Sequence, residues 1–142
     1  MKHAIESNEF KILVKQLSGL KITRCLRNFT VGLNEDLPLE IQQQESDGDV
    51  CLVFSNGLVV NFQAHTEEFS ITLCVLDGII KNNNFLDLSE NKFWKTKIGI
   101  EINKVSFIKG DYRDNPYGIE FSMVNDEKFE IIYHENDMII LK

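Results

Sequence analysis

Ser55-Asn56-Gly57 separates two apolar runs, Val50 to Phe54 and Leu58 to Ala64. Asn-Gly supplies the left-handed backbone positions that a tight antiparallel turn demands, so this stretch predicts a β-hairpin. A hairpin alone is marginal in water, and its neighbours must add strands or a helix to bury one face. Phe69, Ile71, Leu73 and Val75 alternate with polar residues and supply the next strand, ended by Asp77-Gly78. The core of this chain therefore has to be sheet.

The flanking segments read in the same way. Ser7 opens a helix whose Phe10, Leu13, Val14 and Leu17 recur at i, i+3, i+4 and i+7, with Gly19 as its stop. Leu20 to Phe29 reads as a strand, Asn34 to Pro38 as a turn, Leu39 to Gln43 as a short strand, and Glu45-Ser-Asp-Gly-Asp49 as a polar loop. After Asn82-Asn83-Asn84 the order starts again. A short helix over 89–95, capped by Ser89, precedes strands at Ile100 to Ile108, Tyr117 to Val124, Phe129 to His134 and Met138 to Leu141, with Asn125-Asp126 as a second hairpin turn.

Gly19-Leu-Lys-Ile-Thr-Arg24 parallels Gly99-Ile-Glu-Ile-Asn-Lys104, Leu52 to Ser55 parallels Ile119 to Ser122, and Val60 to Ile71 lies without a gap on Phe129 to Ile140. Generic β patterns also agree by chance, and that remains the competing explanation. The expected fold class is α+β, mostly antiparallel sheet with two short helices. One domain over 1–142 would hold two related α-β-β-β-β units, 7–77 and 89–142, each burying its sheet against the other.

Composition matters chiefly for where the charge falls. Between Arg27 and Lys81 there is no lysine or arginine, yet Glu35, Asp36, Glu40, Glu45, Asp47, Asp49, Glu67, Glu68 and Asp77 all lie there. Outside that stretch 15 cations meet 13 carboxylates, so the net −7 is one acidic field on a nearly neutral body. Such a field suits a basic protein surface and repels phosphate backbones, which disfavours nucleic acid as a partner. Three acidic turns carry it: Glu35-Asp36, Glu45 to Asp49, and Glu67-Glu68.

No chemistry-bearing motif competes with it. Cys25, Cys51 and Cys74 have no CxxC pairing and sit in apolar strand contexts, which fits reduced core thiols and no metal. Ser55 and Ser122 lack a nucleophile elbow, and the eight glycines form neither a Walker loop nor G-x-G-x-x-G, so no cofactor is expected. His65-Thr-Glu67-Glu68 and His134-Glu135-Asn-Asp137 place histidine near acids, yet strand neighbours point to opposite faces and these read as polar corners. Trp94 is expected in the core, and Phe29, Phe85 and Tyr112 are expected to be partly exposed. The N-terminal residues lack an apolar h-region, so no secretory leader is expected, and no apolar run is long enough for a membrane helix.

In size, acidity and an α+β pattern ending in short hairpins (Tyr117-Gly-Ile-Glu-Phe-Ser122 and Phe129 to Leu141), the chain resembles the immunity proteins of bacterial contact-dependent growth inhibition and related polymorphic toxin systems. That resemblance implies a cytoplasmic, non-enzymatic inhibitor that binds one cognate toxin domain, typically a nuclease, and blocks its active site. The expected docking residues are Glu35, Asp36, Glu40, Glu45, Asp47, Asp49, Glu67 and Glu68, with an exposed edge at Met138 to Leu141 as a second docking mode. The alternative is a small-ligand-binding or hydrolytic domain using His65 and His134 in a cleft between the halves. A rod-like DNA mimic fits less well, because the acids cluster in turns.

Overall fold

Leu13, Val14 and Leu17, the apolar stripe of the first helix, are buried; Ile119, Phe121 and Met123 bury alternately, whereas Val50-Cys51-Leu52 and Val59 to Phe62 are buried on both faces. A computed structural model describes residues 2–3, 8–28, 45–46, 49–65, 70–76, 85–109, 116–134 and 138–142. In chain order the elements are β1 (Lys2–His3), α1 (Asn8–Gln16), β2 (Ile22–Asn28), β3 (Glu45–Ser46), β4 (Val50–Phe54), β5 (Val59–His65), β6 (Ser70–Leu76), β7 (Phe85–Asp87), α2 (Lys92–Lys95), β8 (Ile102–Lys109), β9 (Pro116–Met123), β10 (Lys128–His134) and β11 (Met138–Leu141). They form two antiparallel sheets, ordered β1-β6-β5-β4-β2-β7 and β3-β11-β10-β9-β8. The α+β class with two short helices holds.

The two units share one design. Each is a helix followed by a four-stranded meander, β2-β4-β5-β6 in the first sheet and β8-β9-β10-β11 in the second. Their junction is nearly symmetric. Lys21 bridges Glu101, the Gly19 amide donates to the Ile102 carbonyl, and the Gly99 amide donates to the Ile22 carbonyl, both at 2.8 Å. Gly19 and Gly99 both take left-handed backbone, at φ 87° and 80°, which lets each helix stop and turn into its strand. A register shift follows at the same place in both, between Ile22 and Arg24 and between Ile102 and Lys104.

The hairpins match as well, though not in the register expected from sequence. Phe54 donates to the Leu58 carbonyl as Met123 does to Glu127, and the Asn56 and Asn125 side chains each accept from the amide two residues on. These contacts pair Leu52 with Phe121 and Phe54 with Met123, two residues away from the alignment of Leu52–Ser55 on Ile119–Ser122. The gapless match through Ile71 and Ile140 also fails by one residue. His65 pairs with Ser70 across its corner, whereas His134 pairs with Met138. Apolar alternation cannot detect a two-residue slip, because it repeats every two residues.

One main core cluster draws on both sheets and both helices. Phe121 stacks on Phe129 with ring centroids 4.6 Å apart, Trp94 meets Phe129 edge-on at 4.8 Å, and Phe62 of the first sheet meets Phe121 edge-on at 6.3 Å. Trp94 is core, as expected. The cap of α2 is Asn91, whose side chain accepts from the Phe93 amide; Ser89 instead takes the Cys25 amide and bonds Asp87. Met138 to Leu141 is not an open edge, because Ile139 and Ile140 of β11 pair with Ser46 and Glu45 of β3. A two-residue strand has no apolar alternation to announce it, so sequence reading left Glu45-Ser46 in a loop. Leu39 to Gln43 and the side chains of Phe29, Phe85 and Tyr112 lie outside the described residues.

Candidate functional site at the acidic end of the first sheet

Strand direction fixes where the acidic segments attach. In the first sheet Arg27 pairs with Val50, Val50 with Phe62, and Phe62 with Leu73. The C-terminal end of β2, the start of β4, the end of β5 and the start of β6 therefore lie at one end of the sheet. The Asn56-Gly57 turn lies at the other. The chain leaves this end after Asn28 and returns at Asp49; it leaves again after His65 and returns at Ser70. Glu35, Asp36, Glu40, Asp47, Glu67 and Glu68 themselves lie outside the described residues, as does Asp77, and Glu45 is placed by its backbone in β3. Asn28, Asp49, His65 and Ser70 thus flank two of the cation-free segments at this end, whereas Glu45-Ser46 pairs in the second sheet and Leu76, just before Asp77, lies beside Val59 at the opposite end.

Asp49 is the one expected docking residue whose side chain is described. It is half-buried, and its Oδ2 accepts from Asn61 Nδ2 and from Gln63 Nε2, each at 3.0 Å. Asn61 and Gln63 stand two apart on β5, hence on one face, and Thr72 is the cross-strand partner of Gln63 on β6. This is the face turned away from the main core, where Leu26, Cys51 and Val59 form a second small buried cluster. Sequence reading passed over Asn61, Gln63 and Thr72, because polar residues alternating along a strand look like a solvated face.

At the same end Arg27 is fully buried, and its Nη2 donates to the Ile139 carbonyl of β11 in the second sheet. A buried guanidinium normally demands this kind of acceptor. Nearby, Arg24 Nε and Nη2 both bond Asp87 Oδ2, at 3.2 and 3.1 Å, and Ser89 donates from its amide and hydroxyl to Oδ1. Burial pushes the Asp87 carboxyl upward, but the Ser89 and Arg24 hydrogen bonds outweigh it and hold the group below the usual range. Arg24, Asp87, Ser89 and Glu90 line an open cleft of about 340 Å³.

Elsewhere burial disfavours the thiolate form of two cysteines. It drives Cys51 up to about 11, with the Asp49 charge adding to the effect, and it raises Cys25 as well. Among the described residues no three His, Cys, Asp or Glu side chains converge as metal ligands, and no helix is long and apolar enough to cross a membrane. His65 and His134 each close a corner between consecutive strands, at equivalent places in the two units. Comparison with protein-family models finds no match, nor do searches of curated proteins and of solved structures.

Proposed function

We propose that this chain is a toxin-neutralising immunity protein of a contact-dependent inhibition or polymorphic toxin system, a cytoplasmic inhibitor with no catalytic role of its own. Its partner would be a basic toxin domain, a nuclease, whose phosphate-binding cleft the acidic end occupies. One observation carries this reading. The cation-free run from residue 28 to residue 80 leaves and rejoins one end of one sheet twice, between Asn28 and Asp49 and between His65 and Ser70. Charges tethered that way would add their fields at one pole, and one-signed fields speed encounter with an oppositely charged partner. A run of one sign also repels itself, so mixed signs would serve a surface needing only solubility better.

The decisive experiment is co-expression with the toxin domain encoded beside it. Neutralisation requires that cells survive the toxin when this chain is present, and that purified chain abolishes nuclease activity at equimolar ratio. Survival unaffected by this chain, with both proteins soluble, refutes the proposal.

A further inference from the structure

Three buried oxygens on the outer face of the first sheet have no hydrogen-bond partner: Asn61 Oδ1, Gln63 Oε1 and Thr72 Oγ1. Asn61 is 3% exposed and Thr72 7%. Both carboxamides turn their nitrogens to the same Asp49 oxygen, which directs their oxygens away from it. The reverse orientation would set two oxygens against a carboxylate. Gln63 and Thr72 are direct cross-strand partners, with Asn61 two residues along β5 on the same face, so the three unpartnered oxygens are neighbours. Buried polar groups are nearly always satisfied, and three adjacent exceptions point to an absent donor.

We propose that Asp49, Asn61, Gln63 and Thr72 form a receptor for one guanidinium group from the basic partner. The inference rests on the proposed function and names the group that this face takes. A single water can donate to both carboxamide oxygens and accept from the Thr72 hydroxyl, but it brings no charge and leaves the Asp49 carboxylate uncompensated. A guanidinium brings five donors in a plane and a positive charge, and it sheds its hydration more readily than an ammonium. Asp49 and Gln63 are half-buried, and Asn61 and Thr72 beside them are buried.

The test uses the full chain, labelled with nitrogen-15, and ethylguanidinium chloride as the probe. Sodium chloride at matched ionic strength and calcium chloride serve as comparison titrations. The receptor predicts saturable shifts of the Asn61 and Gln63 side-chain amide signals with ethylguanidinium only. Thr72→Val, which removes one acceptor at constant shape, should weaken the probe by about two- to tenfold. Shifts that track ionic strength alone, or that calcium reproduces, overturn the receptor, as does an affinity unchanged in Thr72→Val. A chain that neutralises its toxin yet gives no such shifts loses the receptor and keeps the function. A chain that takes the probe but neutralises nothing loses the function alone.

Discussion

The equivalence of the two units sets Lys97 of the second against Leu17 of the first, and the two sites differ sharply in cost. Leu17 donates its amide to the Val14 carbonyl as Lys97 does to Trp94, and both side chains are buried, at 0% and 5% exposure. The Lys97 ammonium bonds the Phe93 carbonyl at 2.8 Å, lies 4.1 Å from the Phe93 ring centre, and stands 3.8 Å from a Glu127 carboxylate that is 41% exposed. Those contacts are worth about 1.5–3 kcal/mol for the charged hydrogen bond, about 0.5–1 for the ring, and about 0.5 or less for the ion pair. Removing the ammonium from water costs several kcal/mol. Burial lowers the Lys97 pKa despite the opposing pull of Glu127, so the desolvation wins. Lys97→Leu should therefore stabilise the fold by about 1 kcal/mol, a melting rise of about 3 °C for a chain of this size.

The sign of the pH dependence makes a second check. A lysine with a lowered folded pKa binds fewer protons in the native state than in the unfolded one, so its penalty shrinks as pH rises toward 10.5. Cys25 and Cys51 act oppositely: their raised values make the native state hold protons that the unfolded chain releases above about 9. The wild-type profile mixes these trends, and the difference between Lys97→Leu and wild type isolates the lysine. That difference, from urea unfolding at pH 7 to 10, should be largest at neutral pH and fall with rising pH. A variant less stable than wild type at pH 7, or a constant difference, refutes the reasoning.

The two hairpin turns are a natural substitution pair: Gly57 at φ 87° and Asp126 at φ 68° occupy one position. Asp126→Gly should be neutral or stabilise by up to about 0.5 kcal/mol, while Gly57→Ala should cost about 1–2 kcal/mol, both read by urea unfolding. A Cβ on Gly118 would lie 2.8 Å from the Ile131 carbonyl and 3.3 Å from the Ile132 Cα, so Gly118→Ala should cost about 1–3 kcal/mol and loosen β9 from β10 in hydrogen exchange. Iodoacetamide at pH 8 should leave Cys25 and Cys51 unlabelled in the native chain and label both in denaturant, as followed by mass spectrometry.

Sequence reading succeeded where a residue type answers to one backbone need. Asn56-Gly57 announced its hairpin, Gly19 its helix stop, and Gly19–Arg24 matched Gly99–Lys104 residue for residue. It failed where period 2 hides register, as at Leu52–Ser55, and where a strand is too short to show a period, as at Glu45-Ser46. The acidic field was legible as a count, because charge needs no fold to be summed. Asn61, Gln63 and Thr72 were not, since an unpartnered oxygen is a fact of neighbours in space. A serine before a helix usually caps it, yet the Ser89 hydroxyl serves Asp87 and Cys25 instead.

The central claim is electrostatic neutralisation of a basic toxin domain by the acidic end, and its most direct measurement is affinity against salt. With the proposed basic toxin domain as partner, the dissociation constant should rise steeply between 50 and 200 mM salt, by roughly tenfold or more given several screened charge pairs. Reversal of Glu35, Asp36, Glu67 and Glu68 to lysine should weaken it further and flatten that slope. Binding that is indifferent both to salt and to these reversals would contradict the account.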